Sequence, residues 1–142
     1  MKVYFGYRVF PQSNPTWGNP VVTVHEVVSR AAGDRLVADD IQPCDCRPLP
    51  VVTYHWPDGI EWGYPGSGPA DLALSILPDY FEEEKEHVLA ALRSLWAPRS
   101  KAAALHQEFK EQFLANEQRD EWQIRDYGPG RPPRRSQAPS KG

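Results

Sequence analysis

The chain has 142 residues, of which 40% are hydrophobic and 25% charged, and its formal net charge is −3. This length predicts a single domain with a core that needs neither disulfides nor a structural metal, and the composition is typical of a globular protein. No apolar run is long enough to span a membrane, and the N-terminus lacks the apolar core of a signal peptide. We therefore expect a cytoplasmic protein.

Charge is distributed unevenly along the chain. Residues 128–142 contain four basic residues and no acidic one, so residues 1–127 carry 12 basic against 19 acidic residues. Because affinity for DNA depends mainly on neutralising phosphates, the acidic body argues against DNA binding by the folded part and suits a partner with a basic surface. We expect residues 1–127 to form one α+β domain and residues 128–142 to form a disordered basic tail.

Two strands are predicted near the N-terminus. Residues 2–10 alternate between two sets of side chains, one slightly more polar than the other, which is the period of a β-strand. Residues 21–28 contain five valines and predict a second strand. The intervening residues 11–20 are rich in Pro, Asn, Ser and Gly and predict a loop that contains Trp17. Residues 29–40 fit either a hairpin or a helical turn, and valine density favours the hairpin.

A second hairpin is predicted in the middle of the chain. Residues 51–56 and 60–64 are rich in β-branched and aromatic side chains, and Pro57-Asp58-Gly59 separates them. Proline sets φ for the first turn position, and Gly59 accepts a positive φ that other residues avoid. The sequence therefore predicts a mainly antiparallel sheet over residues 2–64.

Three helices are predicted to follow the glycine-rich turn at residues 63–68. Pro69 suits the first helical position, and Pro78 is expected to end the first helix. Two longer amphipathic helices follow, with Leu95 and Trp96 on the apolar face of the earlier one. The predicted helices run approximately over residues 69–77, 80–96 and 100–124. We expect the two longer helices to cover one face of the sheet, which gives an α+β fold.

The turn and the first helix also carry a family resemblance. Residues 61–74 read EWGYPGSGPADLAL. This run resembles a motif, approximately WGYGGSGPADLAL, of small uncharacterised proteins encoded by phages and other mobile elements. Pro65 stands where that pattern has glycine, which argues against any role that needs a mobile or amide-lined loop. The family has no established activity that the resemblance could transfer.

In size and composition the whole chain is similar to a small phage protein of Thermus that binds host RNA polymerase and redirects transcription. This resemblance implies a non-enzymatic, phage-type regulator in the host cytoplasm. Its implied partner is a host machine, bacterial RNA polymerase, contacted through a core or sigma subunit. The implied effect is to inhibit or redirect transcription.

The residues proposed to contact this partner are aromatic and apolar side chains in the first loop and in the last predicted helix, because aromatic residues dominate interface energetics. They are Trp17, Phe113, Leu114 and Trp122. Packing into the core is the alternative role for each of them. In a second hypothesis the protein is a nucleic-acid-binding accessory protein whose basic tail contacts nucleic acid or an acidic patch through Arg131, Arg134 and Arg135.

A third hypothesis concerns the loop Gly63–Gly68, which precedes a helix and is the best anion-site candidate in the sequence. A small enzyme or binding module for a phosphate-bearing ligand would use this loop. Against it, no Lys-Ser/Thr pair follows the glycines, and Pro69 removes one backbone amide. A tight turn between a strand and a helix is the alternative interpretation.

Metal binding and catalysis have weaker signals. Cys44 and Cys46 could ligate zinc with His25 or His55, but structural zinc sites favour a Cys-x2-Cys spacing, so no metal or cofactor is predicted. Two free thiols are the simpler interpretation in a reducing cytoplasm. The histidines lie in separate predicted elements without a recognised motif, so no catalytic residue is predicted and we expect a protein that is not an enzyme.

Overall fold

The computed structural model describes residues 2–12, 18–26, 46–55 and 59–125 and the backbone of 134–135. Its contacts divide the chain into two compact units. The sheet unit comprises residues 1–48 and 120–142, and the helical unit comprises residues 49–119. An antiparallel sheet and separate helices together confirm the predicted α+β fold class.

The sheet unit is built from five described strands in the order β3-β2-β1-β4-β5, and each neighbouring pair is antiparallel. The strands are β1 Lys2–Val9, β2 Asn19–Glu26, β3 Cys46–Pro48, β4 Glu121–Arg125 and β5 Arg134–Arg135. The strand predictions for residues 2–10 and 21–28 are confirmed by β1 and by β2 as far as Glu26. The sheet is completed by C-terminal strands, which the sequence interpretation did not include.

The contact between Gly6 and Trp122 shapes the buried face of the sheet. Gly6 lies opposite Val22 on β2 and opposite Trp122 on β4, so these residues share one face. A Cβ added to Gly6 would lie 2.6 Å from Trp122 Nε1 and closer still to two ring carbons. The absence of a side chain at Gly6 therefore makes room for the buried indole of Trp122.

The helical unit is centred on a buried helix. The helices are α1 Ser67–Phe81, α2 Lys85–Arg93 and α3 Lys101–Phe109, and a π-helical turn, Lys110–Leu114, continues α3. Every residue of α1 from Gly68 to Pro78 is buried, which identifies it as a core helix rather than an amphipathic surface helix. Within the unit, α1 packs against α3 and the π-helical turn.

The predicted hairpin at residues 51–64 is wrong, since neither 51–55 nor 59–64 forms a strand. The backbone N–H of Val52 donates to Ser75 Oγ (2.8 Å), and the N–H groups of Tyr54 and His55 donate to Asp71 Oδ1 (3.2 and 2.8 Å). These donors are satisfied by side chains of α1 instead of by a partner strand. Val52 is buried, so its β-branched side chain reflects burial and not sheet pairing.

The predicted helix boundaries also need correction. Pro78 lies inside α1, which continues to Phe81 and ends at Glu82, a residue with left-handed backbone conformation (φ 57°). The helix predicted at 80–96 is therefore shorter, and the one predicted at 100–124 ends with the π-helical turn. Residues 121–125 instead form β4, which pairs with β1. Burial alternates along these residues, as expected for a strand with one covered face.

Several predictions fall wholly or partly outside the described residues. These are the hairpin at 29–40, the turn residues Pro57 and Asp58, and most of the predicted tail at 128–142. Gly59 is described and has the predicted positive φ (103°). From the tail, the structure describes only Arg134 and Arg135, which pair as β5 with β4. The single-domain organisation over residues 1–127 stays a prediction.

We expect Gly6→Ala to destabilise the protein by about 1–3 kcal/mol, because the new methyl group would overlap the indole of Trp122 in a packed face. Urea denaturation followed by far-UV circular dichroism measures the loss. In a Trp122→Leu background, the same glycine substitution should cost clearly less, because the ring it collides with is gone. An equal cost in both backgrounds would show that the substitution does not act through Trp122.

Candidate interaction surface

The connection between α2 and α3 exposes two large apolar side chains side by side. Leu95 is 102% exposed and Trp96 is 97% exposed relative to the reference state, whereas the other exposed large apolar side chains of the described residues are less than half exposed. Single exposed apolar residues are ordinary on protein surfaces. A fully exposed Trp beside a fully exposed Leu is unusual, and Trp is among the residues most enriched at binding hot spots.

Local hydrogen bonds define the backbone of this connection. α2 ends at Arg93, and Ser94 adopts an extended conformation. Ser94 Oγ accepts a hydrogen bond from the N–H of Trp96 (3.2 Å), and Ser94 O accepts one from the N–H of Ala97 (3.4 Å). We call residues Ser94–Ala97 the Leu95–Trp96 turn. Pro98 then prevents helical continuation because it disfavours helical geometry at Ala97 and has no N–H to donate.

The chain after the turn is anchored by Glu83, which precedes α2. Its carboxylate accepts hydrogen bonds from Ser100 Oγ (2.9 Å) and from the backbone N–H groups of Lys101 (3.1 Å) and Ala102 (2.9 Å). Ser100 also caps α3 by accepting from the N–H of Ala103 (3.0 Å). Glu83 therefore satisfies the free N–H groups at the start of α3 and complements the positive end of the helix.

A second contact ties α2 to the same connection. The ring of His87 donates from Nε2 to the carbonyl oxygen of Arg99 (3.0 Å), and its Nδ1 lies 3.9 Å from Glu83 Oε2. The Nζ atom of Lys101 lies 5.7 Å from the centre of the Phe81 ring, a distance suited to a cation–π interaction. The Leu95–Trp96 turn is thus held at its base by several side chains while its two apolar residues stay uncovered.

Basic residues flank the turn in the sequence, although the body of the chain is acidic and Glu83 lies at the base of the connection. Residues 88–107 contain Arg93, Arg99 and Lys101 and no acidic residue. All three side chains belong to exposed residues. Local charge therefore favours an acidic surface opposite the turn, which differs from the basic partner surface suggested by the total charge.

The structure places the four sequence-predicted partner residues differently. Trp17 lies outside the described residues. Phe113 is half-buried, with its ring centre 5.0 Å from that of Phe109. Leu114 and Trp122 are buried, the first in the helical unit and the second in the sheet unit. Their burial gives Leu114 and Trp122 a packing role, and partner contact by the four residues stays a prediction.

The arginines proposed to contact nucleic acid lie in the C-terminal segment. Arg131 is outside the described residues, and Arg134 and Arg135 are described as the backbone of β5. Their contact with nucleic acid stays a prediction.

The glycine-rich loop has a packing explanation in the structure. Gly63 has a positive φ (92°), and its N–H donates to the carbonyl oxygen of Leu114 (2.9 Å). A Cβ on Gly66 would lie 2.7 Å from Tyr64 Cδ2, and one on Gly68 would lie 2.6 Å from the Tyr64 hydroxyl. Two of the glycines therefore accommodate the side chain of Tyr64. Binding of a phosphate-bearing ligand at this loop stays a prediction.

One of the two cysteines of the zinc hypothesis lies among the described residues. Cys46 is an exposed free thiol on β3, opposite His25 on β2, and Cys44 lies outside the described residues. Among the residues that the structure describes, no group of three or more His, Cys, Asp or Glu side chains could hold a metal ion.

The Leu95–Trp96 turn was not predicted because the predicted helix at 80–96 extends through Trp96. The signal that could have revealed it is the pair of helix-ending features around the two residues: Ser94 before them and the Ala97-Pro98 dipeptide after them. The apolar spacing alone indicates burial and cannot distinguish a covered helix face from an exposed turn.

We expect Glu83→Ala to lower the free energy of unfolding by about 0.5–2 kcal/mol, because it removes the acceptor at the start of α3. Hydrogen exchange at the amides of Lys101 and Ala102 should accelerate. Glu86→Ala is the matched control, since Glu86 is an exposed residue on α2. Equal effects of the two substitutions would contradict a capping role for Glu83.

The comparisons with known proteins give a partial match. A model of a family described as "Family of unknown function (DUF6166)" matches residues 26–94, slightly less than half of the chain. The match includes the glycine-rich loop, α1 and α2 and stops just before Leu95. No curated protein and no solved structure matches the chain. In the described part of the chain, no helix has the length and apolar character needed to cross a membrane. The chain is thus similar, over residues 26–94, to a family whose function is unknown.

Proposed function

We propose that this protein is a non-enzymatic regulator that binds an acidic surface of a larger protein assembly through the Leu95–Trp96 turn. The observation that carries the proposal is the complete exposure of both side chains on a turn that is hydrogen-bonded at its base. Trp96 is the main anchor and Leu95 extends the apolar contact. Arg93, Arg99 and Lys101 form the charged rim.

The two exposed side chains offer a large apolar area for burial against a partner. A Trp side chain buries about 150–250 Å² in a well-packed site, which corresponds to about 4–6 kcal/mol of gross transfer free energy at about 25 cal/mol per Å². Binding recovers only part of this amount, because association also costs rigid-body and side-chain freedom. A turn already held by Ser94 and Glu83 limits the ordering cost on this side of the interface.

Two considerations favour a protein over an anionic membrane as the partner. The apolar contact consists of two residues on a turn, whereas membrane-surface binding generally uses the long apolar face of an amphipathic helix. A compact anchor of one Trp and one Leu is suited to a preformed apolar pocket with an acidic rim. Basic residues around the anchor would then increase the association rate and orient the complex.

The specific partner in this proposal is bacterial RNA polymerase, core or sigma subunit, in the cytoplasm of a phage-infected cell. Support comes from the resemblance of residues 61–74 to uncharacterised phage-encoded proteins, from the similarity in size and composition to a phage protein that binds RNA polymerase, and from an anchor that needs no catalytic machinery. The protein would act stoichiometrically, by occluding or repositioning a surface of the polymerase. Transcription would be inhibited or redirected without any covalent change.

We expect Trp96→Ala to weaken binding to purified RNA polymerase at least about 30-fold, the effect of losing a hot-spot side chain of about 2 kcal/mol. Free energy of unfolding should change by no more than about 0.5 kcal/mol, because the side chain is 97% exposed. Biolayer interferometry against core enzyme and holoenzyme, at two salt concentrations, gives the affinities. Leu95→Ala should show a smaller loss, also without destabilisation.

Val51→Ala provides the matched control, since Val51 is an exposed apolar residue of the same unit outside the turn. Its binding should equal that of the unmodified chain. Equal binding by the Trp96→Ala variant would contradict the anchor, and failure of the unmodified chain to bind either polymerase form would exclude this partner. Trp96-dependent binding to anionic phosphatidylglycerol vesicles in place of polymerase would replace the protein partner with a membrane.

A further inference from the structure

Two histidines meet inside the helical unit. His55 lies in the segment Leu49–His55, which we call the strap, and His106 lies on α3. Their Nε2 atoms are 3.1 Å apart, and the two rings are stacked with centres 5.3 Å apart. His55 is half-buried and His106 is buried. The proposed binding surface does not use either residue.

The hydrogen-bond partners determine how the protons are arranged. Nδ1 of His106 lies 2.6 Å from the carbonyl oxygen of Ala103, and a carbonyl can only accept, so this nitrogen carries hydrogen. In neutral His106 the Nε2 atom is then an acceptor, and His55 must donate from its own Nε2. One hydrogen therefore lies between the two Nε2 atoms.

This arrangement tolerates one added proton but not two. If His55 becomes an imidazolium, it still donates from Nε2 to His106, and the hydrogen bond gains charge assistance. If His106 is protonated as well, two N–H groups face each other across 3.1 Å and two positive charges adjoin. The contact between the two Nε2 atoms then changes from attraction to repulsion.

The groups around His106 oppose the second proton. Burial lowers the pKa of His106 below its ordinary value of 6.5, and the hydrogen bond from Nδ1 to the Ala103 carbonyl partly offsets this. Electrostatic interactions with His55 and with Lys110 lower that pKa further, and Asp71 on α1 raises it. Within the strap, the ring of Tyr54 packs edge-on against the ring of its neighbour His55, with the ring centres 4.9 Å apart.

The strap is attached to α1 independently of the histidines. Near its middle, the Val52 N–H donates to Ser75 Oγ (2.8 Å), and at its end Tyr54 and His55 donate to Asp71 Oδ1. The end of the strap also reaches α3, through the ring of His106. We expect repulsion between two charged rings to displace His55 and weaken the hydrogen bonds to Asp71 at the end of the strap, while the Val52 bond to Ser75 stays in place.

We propose that His55 and His106 form a proton-operated latch, which holds the end of the strap on α3 while they share one Nε2 hydrogen and releases it when both Nε2 atoms are protonated. The folded state prefers neutral His106, and this preference determines whether stability rises or falls with pH. As pH falls through 6.5, His106 takes up a proton more readily in the unfolded chain than in the folded one. The contribution of His106 to folded-state stability is therefore complete above pH 6.5 and decreases toward acid.

Hydrogen exchange on the full chain tests the latch. Between about pH 7.5 and pH 5, protection factors at the Tyr54 and His55 amides should fall about tenfold or more, while that of Val52 stays within about threefold. In His106→Gln the loss should disappear, because the glutamine oxygen accepts from His55 whether or not His55 is charged. His55→Gln should behave likewise, since its amide can either donate or accept. His87→Gln should retain the full pH response, because His87 on α2 contacts Arg99 and Glu83 instead of the histidine pair.

Nitrogen-15 spectra of the imidazole rings supply an independent readout. At neutral pH, His106 should be the Nδ1–H tautomer and His55 the Nε2–H tautomer. The opposite tautomer of His106 would overturn the proposal. So would an acid-dependent loss of protection that persists unchanged in both glutamine variants, or one that includes Val52 to the same extent.

Discussion

The helical unit depends on the hydrogen bonds that the buried side chain of Asp71 accepts. Asp71 lies within α1, a helix buried from Gly68 to Pro78, and its Oδ1 atom accepts from the backbone of Tyr54 and His55. Because buried N–H groups without partners cost about 1–3 kcal/mol each, a segment without regular structure can lie here only if side chains satisfy it. Ser75 serves Val52 in the same way while its own hydroxyl donates to the Asp71 carbonyl. Polar residues one helical turn apart on a core helix thus replace the partner strand that the sequence pattern suggested.

Local sequence signals were sufficient where backbone conformation has a local cause. Alternation over eight residues and valine density predicted β1 and β2, and a glycine-rich turn before Pro69 predicted the start of α1 to within two residues. The same signals failed where tertiary contacts decide. Residues 121–125 have only two buried apolar positions, and their strand exists because β1 offers an edge and Gly6 admits the Trp122 ring. The hairpin prediction at 51–64 is wrong because backbone N–H groups of this segment donate to side chains of α1. No local sequence pattern connects the segment with that helix.

The candidate interaction surface was less predictable than the fold. An apolar residue predicts burial on average, so a Leu-Trp pair at helical spacing was assigned to a packed face. What reverses the assignment is the backbone: α2 ends at Arg93 and the Ser94 turn follows. Conversely, Leu114 and Trp122 were proposed as partner contacts in the last predicted helix and lie in packed positions. The histidine pair is non-local in the same way, since His55 and His106 are 51 residues apart in sequence.

Contacts at both ends of the connection fix the exposed position of Leu95 and Trp96. α3 has nine residues, a length at which an isolated helix is marginal, so its start must be stabilised by contacts from outside the helix. Glu83, which precedes α2, supplies these contacts. The connection between α2 and α3 is therefore short and is held at both of its ends. Within such a bridge, exposure of two large apolar groups forfeits about 1.5–3 kcal/mol for each group that could have been buried. A turn with a fixed base and apolar side chains left in water suits the proposed role as an anchor, because the ordering cost of binding would then be met during folding.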